Sequence, residues 1–321
     1  MGSFLYGWQT RLFGLSLDEV TFSRRGFHEG ATVARHRLEQ SGRTFLQGYH
    51  AALEKDDLKT LNLRLSSMDL EFRGFAFEGA AMGLALLDSL TPWRKNRWQA
   101  FVRGPGAAHM YMVHVGVGWV IARLPWLRRQ IERPLERLDP LLRWLAIDGY
   151  GFHEGYFHWP RYVRDQAISD RLTGYARRAF DQGLGRSLWF VEGADVGRIP
   201  ATIETFDSTR HADLWSGVGL ACAYAGGIDR AAVELLRTAA GEFLPQLAQG
   251  AAFAAKARQK AGNPVPHTEL ACQVFCNMSA NEAASITDAA LENLPPDHLE
   301  PSYEVWRRRI QAQFLAEKVI A

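Results

Sequence analysis

Apolar residues along this chain recur three and four apart, and runs of β-branched residues are scarce, so the pattern predicts helices almost throughout. Punctuation divides them. Gly104-Pro105-Gly106 turns the chain ahead of the most apolar stretch, Ala107 to Ile121. Asp139-Pro140 has the form of a helix N-cap followed by proline, and Gly226-Gly227 with Asp229 closes one helix and caps the next. Gly262-Asn263-Pro264 stops another. Ser279 and Glu282 form a capping box for a helix expected to reach about Asn293, and a last amphipathic helix is expected from Tyr303 to Val319.

The chain also resembles itself. Gly26-Phe27-His28-Glu29-Gly30 returns as Gly151-Phe152-His153-Glu154-Gly155, with variants ending in Glu78-Gly79 and Glu192-Gly193. A second echo, Phe-x-x-Gly-x-Gly, begins at Phe101 and again at Phe180. Between Leu214 and Ala239 small residues recur as in a tetratricopeptide hairpin. The expected fold is therefore all-α: an internally duplicated, tetratricopeptide-like array of helical hairpins, with Glu-Gly or Gly-x-Gly in their buried turns. No linker or low-complexity tract divides the chain, so a single compact domain is expected over 1–321. Pseudo-repeats are placed at about 20–140 and 141–260, with C-terminal helices at 265–321.

Composition narrows the function classes. Hydrophobic residues make up 47% of the chain and charged residues 22%, enough for a large core and too balanced for wholesale disorder. A net charge of +2 with only local arginine clusters argues against nucleic acid as a partner. Cys222, Cys272 and Cys276 are too few and odd in number for a disulfide framework and read as reduced core thiols. The N-terminal residues lack the form of a signal peptide, and Ala107 to Ile121 is too short and too interrupted to span a bilayer. A cytoplasmic protein that does not itself cross a membrane is the default expectation.

Candidate chemistry sits in the repeated blocks. Glu78 and Glu192 stand in strongly apolar surroundings, where a carboxylate must be paired, hydrogen-bonded, protonated or metal-bound. Each is expected either to accept structural hydrogen bonds or an arginine (Arg24, Arg25, Arg73 and Arg186 are near in sequence), or to face a ligand. Glu154 and His158 lie four apart on one helical face, with His153 beside them and Tyr156 and Phe157 among the surrounding aromatics. These three are the candidate catalytic residues, as a proton-transfer couple in an apolar pocket. Gly151, Gly155, Tyr156, Phe157, His114, Glu78 and Glu192 are the candidate substrate-binding residues, the glycines because bare backbone invites a ligand or another helix. The spacing matches neither a zincin nor a ferritin-like site, so no metal ligand set is assigned and the cofactor stays open.

Several blocks then carry a resemblance: Arg11 to Gly14 with Glu19 to Phe22, Gly74 to Ala80, Met112 to Gly116, Asp139 to Ala146, and Asp148 to His158. Ala179 to Phe190, Ser216 to Gly227 and Leu247 to Phe253 extend it. Together they resemble the UnbL-type family encoded beside the polyketide synthases of enediyne antibiotic clusters. The resemblance spans nearly the whole chain and implies a setting: polyketide secondary metabolism, in which a linear polyene or polyyne becomes the enediyne core. It implies a hydrophobic polyene or polyyne as small-molecule partner, and the synthase or other cassette proteins as protein partners. It carries over no catalytic residue. The expectation is an enzyme or obligatory accessory acting on that chain. The alternative is a non-catalytic helical scaffold that shelters the intermediate or docks the synthase or a membrane partner.

Overall fold

The computed structural model describes residues 12–54, 57–91, 93 and 96–315. Residues 1–11, with Arg11 and the stretch read for a signal peptide, lie outside the described residues, as do 316–321 with the expected helix end at Val319. Among the described residues there is no strand, and the chain is an all-α array of helical hairpins. Its spine is seven long helices: α1 (Thr32–Glu54), α2 (Arg73–Leu90), α3 (Met110–Arg123), α4 (Arg143–Phe157), α5 (Tyr175–Val191), α6 (Ser208–Ala225) and α7 (Leu244–Ala261). Each packs against the next, and shorter helices such as Leu58–Ser66 and Arg230–Ala240 carry the chain between them. Three further helices, α8 (Pro266–Phe275), α9 (Ala280–Ala289) and α10 (Ser302–Leu315), finish the fold.

Glycine sets the distance between neighbours. A Cβ built on Gly183 in α5 would lie 1.8 Å from the Asp148 carbonyl oxygen of α4, and one on Gly151 in α4 would lie 2.1 Å from the Phe180 carbonyl oxygen of α5. No larger residue fits at such a backbone-to-backbone approach. Residues two apart on a helix point roughly 200° apart, so a mid-helix Gly-x-Gly serves two neighbours at once. Thus Gly149 faces α3 while Gly151 faces α5; Gly183 faces α4 while Gly185 faces α6; and Gly217 faces α5 while Gly219 faces α7. These glycines lie inside helices rather than in the hairpin turns where the sequence pattern had placed them. The Phe101 copy of the motif is the exception, with Gly104 capping a helix end.

The helices run in parallel where the register can be followed: Gly151 meets Phe180 and Gly155 meets Ser187, both ascending. The array then curls until its late helices reach its first. Arg37 Nε of α1 donates to the Ala225 carbonyl at 2.5 Å, and Arg258 of α7 donates to the carbonyls of Tyr224 and Glu71, each at 2.7 Å. One side of the interior is covered by the segment before α1: His28 N–H donates to Val191 O at 2.9 Å, and Phe27 meets Tyr156 edge to face. Another side is covered by α10, whose buried Arg307 donates to Asp213 at 2.7 Å and to Glu304 at 3.1 Å.

Local signals fell where the pattern put them. Ser279 and Glu282 form the capping box, Asp229 caps its helix through Ala232 N–H, and Gly262 takes the left-handed conformation at the end of α7. Asp139 accepts from the Leu141 and Leu142 N–H groups, but the helix proper starts at Arg143, one turn later than the proline suggested. Cys222, Cys272 and Cys276 are buried, the last two against carbonyls of α7.

The register makes a direct prediction. Gly183→Ala should force α4 and α5 apart and cost ~1–3 kcal/mol or more in urea unfolding. Gly197→Ala, whose added Cβ meets only Asp195 Oδ1 at 3.3 Å, should change stability little. Equal effects of the two would show that the glycines are not spacers.

Candidate functional site

The residues flanking each Gly-x-Gly turn inward. Those just after it, Trp119, Phe152, Arg186 and Leu220, all line one enclosed apolar chamber at the centre of the array. Phe45, Tyr156, Phe157, Phe190 and Tyr224 complete its aromatic wall. Its free volume is about 40 Å³, roughly one water molecule's share of the liquid. A chain-length ligand therefore enters only as aromatic side chains rotate aside. A second small chamber, toward α7 and α10, shares Arg186, Leu220 and Tyr224 with the first.

The residues before three of these motifs, Asp148, Gln182 and Ser216, form a polar series with Gln249, which precedes Gly250 of α7. They pair two by two across neighbouring helices, while Gln182 Oε1 and Gln249 Nε2 find no hydrogen-bond partner among the described residues. Gln182 Nε2 donates to Asp148 Oδ2 at 2.9 Å, and Ser216 Oγ donates to Gln249 Oε1 at 2.9 Å. Arg186 closes an ion pair on Asp148 and lies over the Phe152 ring at 4.9 Å.

Glu78 holds the same position in α2, before Gly79, and is 2% exposed. Its counterpart on α3 is Val115, which offers no polar group. The carboxylate instead accepts one hydrogen bond from Trp119 Nε1, at 3.0 Å, and has no ion pair among the described residues. Burial pushes its carboxyl up to about 7, against the pull of the Arg186 guanidinium. Across the chamber the Tyr224 hydroxyl is buried with no hydrogen-bond partner among the described residues, its ring held under Arg258 at 4.0 Å. A carboxyl poised near neutrality and a hydroxyl without a hydrogen-bond partner among the described residues, in an aromatic-walled cavity, form a set able to move a proton on an apolar ligand.

The structure brings Glu154, His153 and His158 together. Glu154 Oε1 faces His153 Nδ1 at 3.3 Å and Oε2 faces His158 Nδ1 at 3.3 Å, and the three ligating atoms lie within 4.8 Å of one another. Burial pushes Glu154 up, but its histidine hydrogen bonds outweigh that and hold it at about 2, while burial lowers the His153 pKa. The arrangement is a carboxylate saturated by donors, and it is also the geometry of a three-ligand cation site. It lies behind the chamber wall: His153 packs on Trp119 and Phe157, which face the chamber, while the His158 side chain is 54% exposed.

The remaining candidates separate. Tyr156 and Phe157 line the chamber. Gly151 and Gly155 do not: Phe180 O fills the space at Gly151, and Ser187 Oγ and Leu184 fill it at Gly155, so their bare backbone serves helix packing and leaves no room for a ligand. His114 sits against Trp98, its Nδ1 2.7 Å from Met110 O, and is absent from the chamber wall. Glu192 is a structural acid, bound by Arg198 Nε at 2.7 Å and Thr202 Oγ1 at 2.8 Å. Sequence reasoning missed Trp119, Tyr224 and the Arg186–Asp148 pair. Their signal was their place beside Gly-x-Gly, or an ion buried inside an apolar helix.

A family model described as "Protein of unknown function (DUF1702)" matches residues 5–314. No curated protein and no solved structure matches the chain.

Glu78 predicts a pH signature. Its folded pKa of about 7 lies above the ordinary 4.5, so its contribution to stability is full below about 4.5 and is lost as pH rises through about 7. Wild type should lose roughly 2–3 kcal/mol relative to Glu78→Gln between pH 5 and 7.5, measured by urea unfolding. A difference that stays flat with pH would mean that the carboxylate is already compensated. Glu192→Gln should instead lower stability at both pH values by ~1–3 kcal/mol.

Proposed function

The chain belongs to the DUF1702 family, and we propose that it acts on a linear, highly unsaturated polyketide chain during formation of an enediyne core. The observation that carries this reading is the central chamber, where Glu78 stands among aromatic faces with no ion pair among the described residues and only the more distant Arg186 opposite its charge. A conjugated hydrocarbon offers almost no polar handles. A site for it needs stacking surfaces, exclusion of water, and an acid or base able to exist in both protonation states near neutral pH. Phe45, Trp119, Phe152 and Tyr156 supply the surfaces, and Glu78 with Tyr224 the proton-transfer groups. The catalytic assignment thereby moves from Glu154 to Glu78, with the Glu154 cluster behind Trp119 as a second polar layer.

One observation favours the scaffold reading. A groove of about 510 Å³ runs outside α3, with Trp98, Val117, Val120, Trp126 and Leu127 on its apolar side and Asp88, Gln99, Gln130, Arg133 and Arg137 on its polar side. Its volume admits an apolar chain without rearrangement, and the one acid in its lining, Asp88, is already paired with Arg97.

The two readings part in a single experiment. A host carrying an enediyne polyketide synthase is given wild type, Glu78→Gln, Ala221→Leu or Trp126→Ala, and the linear polyene is followed by absorbance. On the chamber reading, Glu78→Gln folds, still shifts the spectrum of a bound polyene and lets the linear chain accumulate, while Ala221→Leu weakens binding by ~10-fold. Full activity of Glu78→Gln with loss in Trp126→Ala would install the scaffold instead.

A further inference from the structure

We propose that the recess between the short helix Pro125–Arg129 and the 161–171 segment binds a phosphate-bearing ligand through four arginines. The recess has a volume of about 570 Å³ and gathers Arg128, Arg129, Arg161 and Arg171 around one acid, Asp170. Its size falls within the roughly 300–1,000 Å³ of small-molecule sites.

Charge is the first argument. The chain as a whole is nearly balanced, with 37 basic residues against 35 acidic ones, and its arginines are mostly spent on carboxylates. Arg178 holds Asp213, Arg198 holds Glu192, Arg210 holds Asp181, and Arg164, at the edge of this same segment, holds Asp165. None of the four recess arginines has a carboxylate within ion-pair distance among the described residues. Four uncompensated guanidiniums around one concavity repel one another, and a multivalent anion removes that repulsion.

The recess also has a built floor. Tyr162 is buried there, with the Arg161 guanidinium over its ring at 5.5 Å, which fixes the direction of that fork. Tyr150 is buried beside it and Ser169 also lines the recess, so hydroxyls stand among the cations. Planar guanidiniums donate in pairs to tetrahedral oxyanions, and a single carboxylate would satisfy only one of the four. A diphosphate, or a phosphate ester with a second anionic group, matches the number of donors.

Position gives the site a consequence. Tyr150 lines the recess one helical turn before Glu154 on α4, so an anion in the recess lies close to the Glu154–His153–His158 cluster. On its other side the same short helix presents Trp126 and Leu127 to the apolar side of the groove outside α3. A ligand with a phosphate head and an apolar tail would lie across that helix with each end in matching surroundings. The inference stands on these residues alone and survives if the chamber reading falls.

The test is calorimetric titration of the full chain with inorganic pyrophosphate, and flotation with phosphatidylglycerol vesicles to distinguish a soluble phosphate from a lipid headgroup. Pyrophosphate is expected to bind one-to-one. Arg128→Gln/Arg161→Gln should weaken it at least ~10-fold, and Arg161→Lys should be intermediate, since it keeps the charge and loses the fork. Arg164→Gln, already paired with Asp165, should leave affinity unchanged. Arg171→Gln, altered at a solvent-facing side chain, repeats the test independently of how the double variant folds. Vesicle binding displaced by pyrophosphate would assign the site to a headgroup, and its absence to a soluble ligand. No pyrophosphate binding, equal binding by the variants, or vesicle binding indifferent to pyrophosphate would overturn the proposal.

Discussion

Everything inside this protein depends on how closely its long helices approach. Glycines two apart present bare backbone to two neighbours, and the residues immediately before and after them are turned toward the axis of the array. That register explains a pattern that composition alone does not. One interior row is polar, with Asp148, Gln182, Ser216 and Gln249, and the other is mainly apolar, with Trp119, Phe152, Leu220 and Arg186. Helices spaced by larger side chains would leave a wide pore. Spaced by glycine, they bring the two rows into contact and leave only small cavities.

Against that regularity one residue stands out. The polar row pairs Gln182 with Asp148 and Ser216 with Gln249, whereas Glu78 meets Val115 at the corresponding place on α3. Two buried carboxyls therefore sit on opposite sides of Trp119 with opposite electrostatics. Glu78 is pushed up to about 7 by burial, and Glu154 is held at about 2 by its histidine donors. Environments that drive two acids apart in this way are how one fold separates a proton carrier from a fixed charge. The ion network of Asp213, Glu304 and Arg307 at α10 is a third arrangement, fully paired and structural.

Much of the fold was legible because its signals are local. Helical periodicity, the Ser279–Glu282 box and the Gly262 stop need only a few neighbouring residues. The i, i+4 spacing likewise placed Glu154 and His158 together, since helix geometry alone decides it. What the sequence did not separate were the four Glu-Gly copies. Glu29 is an exposed partner of Arg35, Glu192 is fixed by Arg198 and Thr202, Glu154 is held by histidines, and Glu78 faces the chamber with a Trp119 hydrogen bond and no ion pair among the described residues. The same dipeptide acquires its role from residues on other helices, and Trp119, Val115 and Tyr224 are distant in sequence from the glutamate they affect. Gly151 and Gly155 show the same limit: bare backbone announces a close neighbour, but only the assembled array reveals that the neighbour is α5.

The claim on which the account rests is that Glu78 is a buried, uncompensated acid. Infrared difference spectroscopy, comparing wild type with Glu78→Gln across pH, reads its carbonyl stretch directly. The account predicts a protonated carboxyl band that persists below neutrality and bleaches with a midpoint near about 7, shifting when an apolar polyene fills the chamber. A band already lost at the ordinary value of 4.5, or unmoved by the ligand, would mean that Glu78 is solvated or paired and that the central chamber is packing rather than a site.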